Sequence, residues 1–189
     1  MLERLNQFII RCSFSAWKFI LLFAGFIGSL QVLNMISDKF KLQAGGHEPF
    51  DLQNGLTAGQ IYEQLSTYTE QAFLLYYSFT AVDYLFPLFA GFFLAAIWAF
   101  VLRHTNSRWY EVALQNNLFV LLLVPTFFDY AENIAILSTL LLWPEQAESF
   151  TDAVVVAKRA KLVTVVLAQG STLLVLIYGS VKWIQRRLK

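Results

Sequence analysis

Four long apolar runs, at about 16–36, 73–102, 117–143 and 154–183, decide what this chain can fold into. Each reaches the roughly 20 helical residues that cross a bilayer core. A segment at that depth finds no water for its backbone amides, so it must close its own hydrogen bonds as a helix. Composition agrees: 14% of the 189 residues are charged and 57% are hydrophobic, whereas soluble domains carry about 25% charged residues. The predicted fold class is therefore all-α, a four-helix transmembrane bundle forming a single membrane domain over 1–189. The first run is longer than a signal-peptide core, and no small-x-small cleavage site follows it. It is read as a retained span.

The connections alternate in charge. Arg4, Arg11 and Lys18 mark the N-terminal flank of span one, Arg103 and Arg108 follow span two, and Lys182, Arg186, Arg187 and Lys189 lie at the C-terminus. The first loop (37–72) instead carries Asp38, Glu48, Asp51, Glu63 and Glu70, and the third carries Glu145, Glu148 and Asp152. Cytoplasmic flanks collect Lys and Arg, so both termini are expected inside, in a cytoplasmic (inner) membrane of bacterial type. Trp17, Trp98, Trp109, Trp143 and Trp183 fall near span ends, as interfacial aromatics do. With a net charge of +1 and no basic patch away from the membrane flanks, no nucleic-acid partner is expected; the expected partner is membrane lipid. The lone cysteine, Cys12, excludes an intrachain disulfide or thiolate cluster and reads as a small apolar residue. Four helices are few for a pore, which leaves room for a homo-oligomer that no heptad or charge code specifies.

The outer loop is the largest extramembrane piece. Gly45-Gly46-His47-Glu48-Pro49 marks a turn, and Thr57-Ala-Gly-Gln60 has capping-box spacing. Ile61, Leu65, Tyr68 and Ala72 then recur at helical intervals. A helix is expected from about Ala58, lying on the outer surface and running or bending into span two.

Against this apolar background the polar residues inside the spans stand out. Asp129, Glu132 and Asn133 lie at i, i+3 and i+4 and share one helix face. Facing lipid at mid-depth, each charge would cost roughly 2.5–3.5 kcal/mol, so this face must look into protein or water. Asp83 precedes Pro87 by four residues, and Pro125 precedes Asp129 by four. The two spans run in opposite directions, so both carboxylates fall at similar depth in the outer half and are expected to meet. Pro87 has no N–H for the carbonyl of Asp83, which predicts a kink. Span four opens with Lys158-Arg159-Ala160-Lys161, and Gln169 returns to nearly the angle of Lys158. Lys161 is the expected counter-charge or gate, with Lys158, Arg159, Gln169 and, from the loop, His47 as further candidates.

Three uses of this layer remain open: a neutralised structural network, a binding or translocation site for a cation, proton or small polar group, and a catalytic site acting on lipid. Asp83, Asp129 and Glu132 would suit a divalent cation such as Mg²⁺ or Ca²⁺. Neither His47 nor His104 lies in a span, so a His-based metal site or Ser-His-Asp triad has little support.

Through Asp83-x-x-x-Pro87, Asp129-x-x-Glu132-Asn133 and the basic start of span four, the chain resembles a group of small, uncharacterised four-helix integral membrane proteins. The likeness covers about 50–167, including Phe50-Asp51-Leu and Gly55-Leu-Thr-Ala before span two. It implies that Asp83, Pro87, Asp129, Glu132, Asn133 and Lys161 occupy the group's motif positions. It brings no activity with it.

Overall fold

The computed structural model describes residues 1–188, and among them every regular element is helical. Eight α-helices follow in order: α1 (Leu2–Phe14), α2 (Ala16–Lys41), α3 (Ala58–Leu65), α4 (Glu70–Asp83), α5 (Leu85–His104), α6 (Arg108–Gln115), α7 (Val124–Leu142) and α8 (Glu148–Arg187). Short 3₁₀ turns at Phe50–Leu52 and Leu118–Leu123 complete the chain. Four stretches are long and apolar enough to cross a membrane: Ala16–Lys41, Glu70–His104, Leu118–Leu142 and Glu148–Arg187.

The outward faces of these stretches are apolar. Phe23, Val32 and Met35 on α2, and Val163, Val166, Leu167, Leu173 and Leu174 on α8, are all exposed. Contiguous exposed apolar surface of this extent marks an interaction face. Asp83, Asp129, Glu132, Lys158 and Lys161, which lie within these stretches, are buried instead.

Span two is not one helix. It breaks at Tyr84 between α4 and α5, three residues before Pro87. α7 sets two hydroxyl groups against this break. Tyr130 Oη donates to Tyr84 O at 2.7 Å, and Thr126 Oγ1 donates to Pro87 O at 2.7 Å. In span three the α-helix begins at Val124, with Pro125 in its first turn, where a missing N–H costs nothing. The residues ahead of it tighten into a 3₁₀ turn entered at Asn117, whose φ of 54° is left-handed. Gly91 sits where α5 meets this turn and α7; a Cβ there would lie 2.7 Å from Thr126 Oγ1.

Both ends carry elements that the runs alone did not reveal. α1 is an amphipathic helix that buries Ile9, Ile10 and Cys12 against the bundle while Arg4 and Arg11 stay exposed. Arg103 stacks over Phe14 (3.5 Å to the ring centroid) and donates to Ser13 O at 3.0 Å. Arg186 donates to His104 O at 2.6 Å. The basic N-terminal flank, the α5–α6 turn and the end of α8 therefore gather at one end of the bundle.

At the other end, the 37–72 loop folds back as a cap. Gly46, with φ of 87°, turns the chain after α2, and its N–H donates to Lys41 O. Thr57 and Gln60 form a reciprocal capping box that starts α3 at Ala58, the residue expected. α3 is a separate helix that stops at Leu65, so it neither runs into span two nor lies free on the surface. Ile61 and Leu65 pack with Phe40, Phe50, Tyr76 and Ile136, and Gln53 and Gln64 exchange hydrogen bonds of 2.8 and 3.0 Å.

Candidate functional site

The polar layer forms where the cap meets α4, α7 and α8. On α7, helical spacing turns Asp129, Glu132 and Asn133 to one buried face, and Glu132 is wholly inaccessible. On α8, Lys158 and Lys161 lie three residues apart and face the same way. Lys161 Nζ lies 3.0 Å from Asp129 Oδ1 and 2.6 Å from Glu132 Oε2, and pairs with Asp51 Oδ1 as well. Lys158 Nζ donates to the carbonyls of Phe50 (2.9 Å) and Asp51 (2.7 Å) and to Glu132 Oε1 (3.2 Å). Asn133 Nδ2 donates to Asp83 Oδ2 at 2.7 Å and to Asp129 Oδ2 at 3.3 Å, so its amide joins the two aspartates. Asp83 and Asp129 thus meet through Asn133 rather than by direct contact.

Asp51 is the residue that sequence reasoning did not assign to the site. It stands in the 3₁₀ turn Phe50–Leu52, which the cap folds over the layer. Three contacts hold this turn: the two hydrogen bonds from Lys158, and the Phe50 N–H donating to Tyr76 Oη at 2.6 Å. Phe50 anchors it further, its ring 5.5 Å from Tyr76 and 5.9 Å from Tyr68. Burial pushes the Asp51 carboxyl up, but Lys161 and Lys158 beside it outweigh that and hold it below its ordinary value of 3.8. The one available signal was the Phe50-Asp51-Leu stretch ahead of a capping box, and nothing in its spacing pointed inward.

Asp51, Asp129 and Glu132 offer carboxylate oxygens that lie within 4.8 Å of one another. Asp83 was the expected third member of such a trio; Asp51 takes that place, and Asp83 is one amide further back. An oxygen trio of this kind suits a hard divalent cation. The Lys161 ammonium, bonded to all three, lies where such a cation would. The remaining candidates lie outside the layer. Arg159 and Gln169 are exposed, and His47 stays in the turn after α2 with no side-chain bond to the layer.

Beside the layer is a cavity of about 360 Å³. Asp51, Asp129 and Lys161 line one end; Phe26, Pro87, Gly91, Leu122, Pro125, Val165 and Ala168 line the rest, with Gln169 contributing from α8. Its walls come from α2, α5, α7 and α8. Two further clefts of about 400 Å³ lie around Phe100 and His104, at the basic end and away from the buried acids.

No family model, curated protein or solved structure matches this chain. What the layer does must therefore be argued from its own chemistry. Four carboxylates (Asp51, Asp83, Asp129 and Glu132) face two ammonium groups, a formal surplus of two negative charges. Most hydrogen-bond donors are engaged: Lys158 serves three acceptors and Asn133 two, while Lys161 donates to Asp51 and forms ion pairs with Asp129 and Glu132. Asp51 Oδ2 and Asp83 Oδ1 receive none of these contacts. The layer is rich in acceptors and short of donors and positive charge.

Proposed function

We propose that this is a multi-pass protein of a cytoplasmic membrane whose acid–lysine layer binds a cation, proton or small polar donor at the head of the cavity. The surplus of buried acid beside that cavity carries the reading. Uncompensated buried charge costs several kcal/mol per ion, so the surplus must be neutralised by protons or by a bound cation. The orientation has both termini cytoplasmic. Its support is the gathering of Arg4, Arg11, Arg103, Arg108, Arg186 and Arg187 toward one end, opposite the acidic cap.

In this reading Lys161 is a tethered cation. A guest ion can take the oxygens of Asp51, Asp129 and Glu132 only as the ammonium withdraws, so Lys161 competes with the guest. Methylammonium and Mg²⁺ are the probes, with uptake by purified protein followed by native mass spectrometry and titration calorimetry. Uptake should fall with acidification as protons compete, and should be lost in Asp129→Asn. A folded protein that exchanges neither probe and releases no protons across the range where carboxylates and amines titrate would refute the proposal.

A second reading has an observation of its own. Lys161 is bonded to all three acids at once, which is how a purely structural network would be built. That reading predicts that Asp129→Asn lowers thermal stability while leaving no binding signal to lose.

A further inference from the structure

We infer that the cavity holds a membrane amphiphile with a primary ammonium head and a single apolar tail; this rests on the cation-binding reading above and names its guest. A small ion needs only the three carboxylates, yet most of the 360 Å³ lies beyond them and is apolar. From Lys161 to Gln169 the cavity follows α8 for roughly 12 Å at helical rise. Along this length Phe26, Pro87, Gly91, Leu122, Val165 and Ala168 offer no hydrogen-bonding side chain, and the Thr126 hydroxyl is spent on Pro87 O. Water gains nothing there, and a hydrocarbon chain does.

The geometry also fits the way a lipid lies. The acid end sits at the level of the cap, and the apolar end runs down toward the middle of the bundle. A lipid of the leaflet on the cap side has the same order, head outermost and tail inward. Access comes from the side: α2 and α8 both line the cavity, while α2 packs on α4 and α5, and α8 on α7 and α5. The gap between α2 and α8 faces the bilayer.

Charge complementarity selects the head. Asp51 and Asp129, with side chains about nine-tenths buried (10% and 8% exposed), present acceptor oxygens to the cavity. Glu132 Oε2 behind them is fully buried and has no hydrogen bond of good direction, although Lys161 Nζ lies close to it. A phosphate or sulfate head would add negative charge to an acid surplus. A quaternary ammonium supplies the charge without N–H donors. A primary ammonium supplies both, and its charge-assisted bonds to carboxylates are the stronger kind.

The test uses the full chain in mild detergent and native mass spectrometry with four probes: dodecylammonium, dodecyltrimethylammonium, dodecyl sulfate and ethylammonium. One equivalent of dodecylammonium should be retained, at least about tenfold more than dodecyltrimethylammonium, which lacks the N–H bonds, or dodecyl sulfate. Val165→Phe and Ala90→Phe, which fill the tail region and leave every acid in place, should cut dodecylammonium retention about tenfold or more and leave ethylammonium uptake unchanged. Asp129→Asn should reduce both. If ethylammonium binds and the three dodecyl probes are retained alike, or if the Phe variants change nothing, the amphiphile is refuted and the cation site stands. If neither amine binds to folded protein, both proposals fall together.

Discussion

Replacing Lys161 with Met removes a charge and leaves the volume nearly unchanged, which makes it the cleanest probe of the layer. Lys161 is 8% exposed, and its ammonium is shared by Asp51, Asp129 and Glu132. Removing one partner of a buried ion pair generally costs about 3–5 kcal/mol, because the other is left without compensation. Met fills the channel of the lysine stem, so little of that cost comes from packing. For a chain of this size each kcal/mol moves the midpoint by about 2–4 °C, which gives a fall of about 6–20 °C at neutral pH. Differential scanning fluorimetry in detergent reads this shift. Acidification supplies the neutralising protons that the ammonium had made unnecessary, so the gap between variant and parent should narrow as pH falls. Glu132→Gln added to Lys161→Met should recover part of the loss, since the orphaned acid is then gone. A variant within about 1 °C of the parent at neutral pH would refute the claim that this ammonium holds the layer together.

The other predictions concern the cap and the helix contacts. Because the folded Asp51 carboxyl lies below its ordinary 3.8, its contribution is fully present above about pH 4 and is lost as pH falls through the lower folded value; hydrogen exchange of 50–56 should rise only in that acid range. Tyr76→Phe takes the acceptor from the buried Phe50 N–H and should destabilise by about 1–3 kcal/mol in thermal unfolding, with faster exchange at Phe50. Gly91→Val should cost about 1–3 kcal/mol by driving α5 from Thr126 and Leu123, whereas Gly28→Ala, with nothing within 4 Å of its Cβ, should stay within about 0.5 kcal/mol of the parent. Thr57→Ala should cost about 1 kcal/mol through loss of the α3 cap, read as a lower midpoint with the layer intact.

What could be read from the sequence was whatever local spacing encodes. Bilayer-length apolar runs gave the four stretches long and apolar enough to cross a membrane, and the i, i+3, i+4 rule put Asp129, Glu132 and Asn133 on one face. The capping box placed the start of α3 at Ala58. Asp51 stayed hidden because its partner Lys161 is 110 residues away and a loop aspartate has no period to follow. The same distance concealed why there are two lysines on α8: one holds the carboxylates, and the other grips the backbone of the cap. α1 and α6 were missed for a different reason, since short amphipathic helices lack the sustained hydropathy by which spans are recognised. Pro87 announced a disturbance in span two, but the hydroxyl contacts that Thr126 and Tyr130 of α7 make beside it are a tertiary fact.

In the multi-pass reading proposed above, the division of charge between neighbouring helices also bears on how the chain would reach a membrane. Acids ride on α7 and lysines on α8, joined by only five residues, 143–147. Presented singly to the insertion machinery, each helix would carry ionised groups costing up to roughly 2.5–3.5 kcal/mol apiece near mid-depth. Presented as one hairpin, Glu132 already faces Lys158 and Lys161, and most of that barrier cancels. In the membrane reading proposed above, spans three and four are therefore best delivered together as one hairpin. Nascent chains released between the two spans would expose bare carboxylates to the bilayer, a recognisable target for membrane proteases.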